Sequence, residues 1–307
     1  MQLPKTQVNI LVSGASGFVG SALVPFLQAS GHRVKKLVRH KKLGEGEIFW
    51  DPVSENIQKE DFKDFNAVVH LAGKNIAQGR WTSKNKQEIF LSRARDTWLL
   101  SQVLLRVNHP PKTFISASAV GIYGDRGSEV LTEKNGPGDG FLADVCKEWE
   151  KATFPLAERG VRVVNSRFGL VLGKSGGMLH KILPIFKWGL GGKLGSGRQF
   201  VSWVALNDLI RALEYLLTHS SLEGPVNVTS PHPVTMEEFI KKIAQAVDRP
   251  AFFHLPGPLL KLIFGEMAQE LFLNSTRAVP EKLIQSGFRF EYPTLESALK
   301  LFCARDA

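Results

Sequence analysis

The sequence predicts an α/β chain, a doubly wound parallel sheet followed by a smaller, mostly helical C-terminal lobe. Three observations carry that prediction. An apolar strand, residues 8–12, runs straight into Gly14-x-x-Gly17-x-x-Gly20 and then an amphipathic stretch. Short apolar runs then alternate with helical periodicity through residue 168, the pattern of a Rossmann-type sheet. Beyond that point the alternation decays into Gly-rich segments (173–177 and 189–197) and a helical tail from residue 235.

Each element has its own signal. The glycine turn opens a helix over 21–29, which ends at Ser30-Gly31 before a second strand over 33–38. Ile48-Phe-Trp is a third strand ending at Asp51, and residues 67–73 form a fourth that finishes on Gly73. A single long helix is expected over 84–107, anchored by Ile89, Leu91, Leu99, Leu100, Val103 and Leu104. Residues 113–118 make a fifth strand that turns polar at Ser116 and Ser118. A helix over 141–158 leads to a sixth strand over 161–168. Asn207-Asp208 before an apolar-periodic run reads as the cap of a helix over 209–217. The domain division that follows is residues 1–168 as a nucleotide-binding domain, completed by about 204–230, with 169–203 and 231–307 forming the smaller lobe.

The glycine turn names a ligand class. A side chain at Gly14 or Gly17 would obstruct the tight turn and the approach of a pyrophosphate, and Gly20 lets the helix pack on the sheet. The helix then aims its N-terminal N–H groups at the phosphates, which brings Ser16, Phe18 and Val19 into the cofactor set. An NAD site offers a carboxylate roughly 20 residues on, for the ribose 2′-OH. Here that place holds Arg39, followed by His40, Lys41 and Lys42, and the first carboxylate is Glu45. Such a cluster suits a 2′-phosphate, so NADP is favoured over NAD, although a solvated basic loop has the same composition.

Bulk properties narrow the class. The chain has 307 residues, 43% of them hydrophobic, ample for one large α/β domain or one plus a lobe. Two cysteines, Cys146 and Cys303, make no disulfide framework, and no ligand spacing suggests a metal. No apolar run after the early charges suggests a signal peptide, and no stretch approaches ~18 apolar residues, so a cytoplasmic protein without membrane contact is expected. The formal charge of +10 is scattered rather than gathered with aromatics, which argues against nucleic acid and for a polyanionic cofactor or substrate.

The ordered set Gly14-x-x-Gly17-x-x-Gly20, Asn66-Ala-Val-Val-His-Leu-Ala-Gly73, Arg80-Trp81, Ser92-Arg93, Ser116-Ala-Ser118 through Tyr123-Gly124, Trp149-Glu150, Arg167 through Gly173, Gly189 through Gly197 and Trp203 through Asp208 resembles one family across nearly the whole chain. It is similar to the YfcH-like epimerase family proteins, atypical extended short-chain dehydrogenase/reductases within the NAD(P)-dependent epimerase/dehydratase superfamily that carry a short C-terminal domain. The resemblance implies that Asp51 holds the adenine amino group and that Leu71, Ala72 and Gly73 pass under the ribose and phosphates. It also implies that the Ser118 hydroxyl bonds a substrate oxygen during hydride transfer, and that Gly189–Gly197 with Arg198 faces a nucleotide-sugar diphosphate.

The sequence departs from that family at one point. Working members of the superfamily place Tyr-x-x-x-Lys on the helix after the serine strand, the lysine lowering the phenol's pKa. If Lys147 is that lysine, the tyrosine position is Ala143; if Glu150 sets the register, the pair is Leu142 and Cys146. Neither alignment supplies a phenol. The catalytic candidates are then Ser118 and Tyr123, with Lys147 as a ribose contact, and Tyr123 reads equally as a packing residue. Arg93 and Arg80, beyond the fourth strand, suit a carboxylate or phosphate, or else a surface ion pair with Glu88 or Asp96; Arg93 is counted with the cofactor set.

Three function classes follow: an NADP-dependent oxidoreductase or epimerase on a small polar, anionic metabolite such as a nucleotide sugar; an NADP-binding regulator or redox sensor without turnover; and an assembly partner that the cofactor merely stabilises. The expected partners are that small molecule and a second copy of the chain in a homodimer.

Overall fold

In a computed structural model, residues 7–52 and 62–303 are described. Seven strands form one sheet: β1 (Asn9–Ser13), β2 (Arg33–Val38), β3 (Glu47–Phe49), β4 (Ala67–His70), β5 (Thr113–Ala119), β6 (Arg162–Phe168) and β7 (Gly224–Val228). They lie in the order β7-β6-β5-β4-β1-β2-β3, and every neighbouring pair is parallel. The order reverses between β1 and β4, and a crevice opens beyond the carboxyl ends of strands at such a switch point.

Alternation along β1 separates two cores. Ile10 and Val12 face one side, against Leu23, Val24 and Leu27 of α1 (Phe18–Ala29) and Leu209, Leu213 and Leu216 of a second helix (Leu206–Thr218). Leu11 faces the other, with Leu100 and Leu104 of one helix and Leu156 of another. Both faces of the sheet are therefore dry, which is why β1 and β4 read as continuous apolar runs rather than alternating ones.

The long helix expected over 84–107 is two helices, α2 (Ser83–Leu91) and α3 (Ala94–Leu105), because the chain breaks at Ser92-Arg93. Arg93 (φ −109°, ψ −65°) caps the second helix there and turns its side chain inward. The helix expected over 141–158 likewise splits, into α4 (Phe141–Lys151) and α5 (Phe154–Glu158), with Pro155 opening the second. The first helix begins three residues earlier than expected, at Phe18, so Gly20 sits inside its first turn. The fourth strand ends at His70 rather than Gly73, leaving 71–73 as an extended floor.

The second lobe has its own core. Leu179, Leu183 and Phe186 of α6 (Gly177–Lys187) meet Phe239 and Ile243 of a helix over Met236–Ala246 and Leu299 of the terminal helix Leu295–Cys303. The helix Leu206–Thr218, α7, begins earlier than expected, and Ala205 rather than Asp208 is its cap. Asp208 instead binds the tail: its buried carboxylate accepts from the Glu291 and Tyr292 N–H groups, each at 2.8 Å, and from Arg211. The seventh strand and α7 thus belong to the nucleotide-binding layer, reached only after the chain has left it and returned.

Candidate cofactor cleft and active site

The glycine turn closes on itself. Gly14 has φ +67°, a conformation L side chains avoid, and a Cβ there would lie 2.7 Å from the Leu71 carbonyl carbon. A Cβ on Gly20 would lie 2.2 Å from the Gly14 carbonyl oxygen. Gly17 differs, because its Cβ would meet only that oxygen, at 3.2 Å, so its outer side is open. Gly17 caps α1 without a side-chain bond, and the first turn carries no acid. The positive end of α1 therefore has no charge of its own to neutralise it, and the Phe18 and Val19 N–H groups start the helix facing the crevice. The Phe18 ring itself packs elsewhere, on Gly173, Gly176 and Gly177, whose missing side chains make room for it. These residues fit a dinucleotide: small at the turn, with N–H donors at the helix end.

A buried relay holds the floor. Ser13 Oγ accepts from the Leu71 and Ala72 N–H groups at 3.1 and 3.3 Å, so its own proton goes to His70 Nδ1 at 2.7 Å. His70 Nε2 then donates to Thr97 Oγ1 at 3.0 Å. That pattern is satisfied by a neutral imidazole, and burial pushes the ring's pKa down to about 4. His70 is thus a satisfied strand residue, and Leu71-Ala72-Gly73 is set beside the glycine turn by it.

Two arginines of the cofactor set have no carboxylate among the described residues. Glu47 is held down to about 2 by the Gly44 N–H, Lys36 and His40. Arg39, exposed beside them, has no ion pair among the described residues. Glu88 takes Lys74 and Asp96 takes Arg95, so the surface pairings open to Arg93 are filled by others. Arg93 points inward, its guanidinium 5.1 Å from the Trp149 ring and 3.4 Å from where a Gly73 Cβ would be. It donates to the Ile89 carbonyl at 3.2 Å, and burial pushes its pKa down. Asp51 is partly exposed just beyond β3, at the sheet's edge.

The reaction end is built differently. Ser118 Oγ donates to Glu150 Oε1 at 2.8 Å. Glu150 is gripped by Arg167 through two bonds of 2.8 Å, and Arg167 Nη1 donates to the Tyr123 hydroxyl at 2.9 Å. That hydroxyl also lies 2.8 Å from Asn227 Oδ1 and 3.0 Å from the Thr132 carbonyl. Tyr123 is fully buried, and burial raises its pKa. Its phenol is taken up by Arg167 of β6, Asn227 of β7 and the Thr132 carbonyl, which matches the packing alternative for this residue more than the catalytic one. Lys147, partly buried on α4, pairs through its ammonium with Asp144 at 2.6 Å. Cys146 is buried, its thiol pushed up to about 12 chiefly by that burial, which keeps it neutral. Ser116 is a fully buried mid-strand residue.

Four participants were not selected from sequence. Glu150 and Arg167 appear in the motifs but carry no signal of pairing across 17 positions, and Asn227 lies 104 residues from Tyr123. Glu270 reaches back from the second lobe to accept from the Phe141 N–H at 3.1 Å, at the start of α4. No helix among the described residues is long and apolar enough to cross a membrane, and they hold no cluster of three metal-ligating side chains.

A strand–glycine turn–helix at the switch point of an all-parallel sheet defines a dinucleotide-binding protein of the Rossmann class. The chain belongs to the NAD dependent epimerase/dehydratase family, whose model matches residues 10–229; residues 255–301 match DUF1731, a domain of unknown function. It is 42% identical over 290 residues to the epimerase family protein Mb2239 of Mycobacterium bovis, covering 94% of this chain and 96% of that one. It is 38% identical to YfhF of Bacillus subtilis, covering 97% and 98%. Among solved structures, human epimerase family protein SDR39U1 with NADPH superposes with a TM-score of 0.87 at 32% identity, covering 96% of this chain and 99% of that chain. A nucleoside-diphosphate sugar epimerase from Corynebacterium glutamicum gives 0.79 at 34% identity, covering 96% and 57%.

Proposed function

We propose that the chain binds NADP(H) in this cleft and acts as an oxidoreductase or epimerase on a small polar, anionic metabolite, a nucleotide sugar being the class closest to its relatives. The observation that carries the reading is the unneutralised positive end of α1, flanked by Arg39 and Arg93, for which no carboxylate is found among the described residues. Arg39 would meet a 2′-phosphate with a charge-assisted fork. Gly17, Phe18 and Val19 would give backbone N–H groups to the pyrophosphate, with Ser16 in the same turn. Leu71, Ala72 and Gly73 would floor the ribose, and Asp51 would meet the adenine edge. The bound cofactor supplies hydride transfer.

Proton handling falls to Ser118. Its own hydrogen is directed to Glu150, so its lone pairs are what it offers a substrate, and they suit a hydroxyl that donates. Arg93, cationic and close to Gly73, would hold an anionic group of the bound molecules. The SDR39U1 structure carries NADPH, and the Corynebacterium relative is a nucleoside-diphosphate sugar epimerase, which supports both halves of the reading.

A second reading, an NADP-binding regulator without turnover, rests on α4. Leu142 and Ala143 supply no phenol there, and the Lys147 ammonium is already paired with Asp144. Thermal unfolding with NADPH and NADH separates the first question from the second. Arg39→Ala should remove most of the NADPH-specific stabilisation and leave the smaller NADH shift; equal shifts that ignore Arg39 would overturn the NADP assignment. Ser118→Ala should then abolish NADPH oxidation with nucleotide-sugar carbonyl substrates while the thermal shift stays. Unchanged turnover in that variant would remove Ser118 from the chemistry.

A further inference from the structure

The second lobe carries an exposed apolar surface that the cleft does not use. Its most exposed members are Trp188 (81% exposed), Phe252 (86%) and Leu262 (80%), with Ile185, Leu190 and Phe253 about half exposed between them. They come from three places that the fold brings together. The end of α6 delivers Ile185 and Trp188, and the turn after it delivers Leu190. The strand Phe253–Leu255 pairs in parallel with Gly192–Leu194, and the Phe253 N–H donates to the Gly191 carbonyl at 3.3 Å. A short helix, Gly257–Phe264, follows directly, with Leu260 buried beneath it and Leu262 outward. Arg249 Nε donates to the Lys187 carbonyl at 3.2 Å, which fixes the base of the first segment to the base of the second.

The charge of this surface is one-sided. Segments 181–193 and 249–264 carry five Lys or Arg residues (Lys181, Lys187, Lys193, Arg249 and Lys261) and no Asp or Glu. Lys187 precedes Trp188, and Lys261 precedes Leu262, so each cation stands beside a protruding apolar group. The nearest acids outside the segments are Asp248, next to Arg249, Glu237, which lines one cleft with Lys193 and Arg249, and Glu266, which pairs with Lys86.

We propose that this face is a peripheral docking surface for an anionic lipid bilayer. A tryptophan at the tip of a turn, isolated aromatic and aliphatic side chains and flanking lysines are the chemistry that seats at the headgroup boundary: the apolar tips enter, and the ammonium groups stay with the phosphates. Protrusion favours a bilayer over a folded partner. Protein interfaces centre on anchors set in packed pockets, whereas here Trp188, Phe252 and Leu262 each remain at least 80% exposed. Charge argues against a second copy, because a twofold contact through this face would set Lys187, Arg249 and Lys261 among their own duplicates. The proposal concerns a surface contact, not a spanning helix, and it stands independently of the cofactor reading.

Co-sedimentation of the full chain with vesicles tests it, using phosphatidylcholine alone and phosphatidylcholine mixed with phosphatidylglycerol. The protein should pellet with the anionic vesicles only, with affinity that falls as salt rises. A Trp188→Ser, Phe252→Ser, Leu262→Ser variant should bind about tenfold more weakly or not at all, and each of Lys187→Gln and Lys261→Gln should weaken binding about fivefold. Retention of the NADPH thermal shift, or of the parent's unfolding temperature if no cofactor shift exists, shows that the variants fold. No binding to either vesicle overturns the proposal. So does anionic binding that the triple variant keeps, since that would reflect only the chain's overall positive charge. Sedimentation velocity supplies the remaining outcome: a parent dimer that the triple variant splits into monomers would assign the face to a second copy instead.

Discussion

The two ends of the crevice are built on opposite plans. At the cofactor end, β1, the glycine turn and α1 lie within 21 consecutive residues, and the groups left for a ligand (a helix terminus, Arg39, Arg93) have no acidic partners among the described residues. At the reaction end, Ser118, Glu150, Arg167, Tyr123 and Asn227 come from five elements or turns, and each polar group there is bonded to another. One end is held open for a ligand; the other is closed into a network that locks β5, α4, β6 and β7 together. Substitutions should therefore act on binding at the first end and on folding at the second.

The largest expected effect tests the closed end. Glu150→Ala leaves the Arg167 guanidinium buried without its carboxylate, which should cost about 3–5 kcal/mol and lower the melting temperature by many degrees. A melting temperature within a degree or two of the parent would mean that the network adds no stability.

Acid should next reach the relay beneath the open end. The His70 pKa is depressed in the folded protein, from 6.5 to about 4, so between those pH values the unfolded chain binds more protons. Stability is complete above the unfolded pKa and falls as pH drops from about 6.5 toward 4, by on the order of 3 kcal/mol from this group. Urea denaturation across that range, compared with His70→Gln, measures it; identical pH slopes would assign the loss to other groups.

A smaller effect separates turn geometry from packing. Gly20→Ala pushes a Cβ into the Gly14 carbonyl and should cost about 1–3 kcal/mol while abolishing the NADPH thermal shift. A destabilised variant that still responds fully to NADPH would show that the turn tolerates displacement.

The smallest expected effect concerns the residue that seemed catalytic. Lys147→Ala removes a half-exposed ion pair with Asp144, so stability should change by less than about 1 kcal/mol and cofactor binding not at all. A lost NADPH response would return Lys147 to the ribose.

Much of this protein is set locally and can be read from the chain. The glycine spacing, the apolar runs of β1 and β4 and the basic residues after β2 each act through neighbours a few positions away, so the sheet class and the cofactor end follow from sequence patterns. Helix breaks at Ser92-Arg93 and near Pro155 were less legible, because apolar periodicity runs on across them while a tertiary demand, the burial of Arg93, decides the break. The roles of Tyr123, Asp208 and Glu150 could not be read at all. A tyrosine after a polar strand end, an Asp before an apolar run and a helix glutamate have the same local sequence whether they face a ligand, cap a helix or grip a partner far along the chain. Only the folded sheet, by bringing Asn227 to Tyr123, residues 291–292 to Asp208 and Arg167 to Glu150, selects among those uses, since burial makes an unpaired polar group too costly to keep.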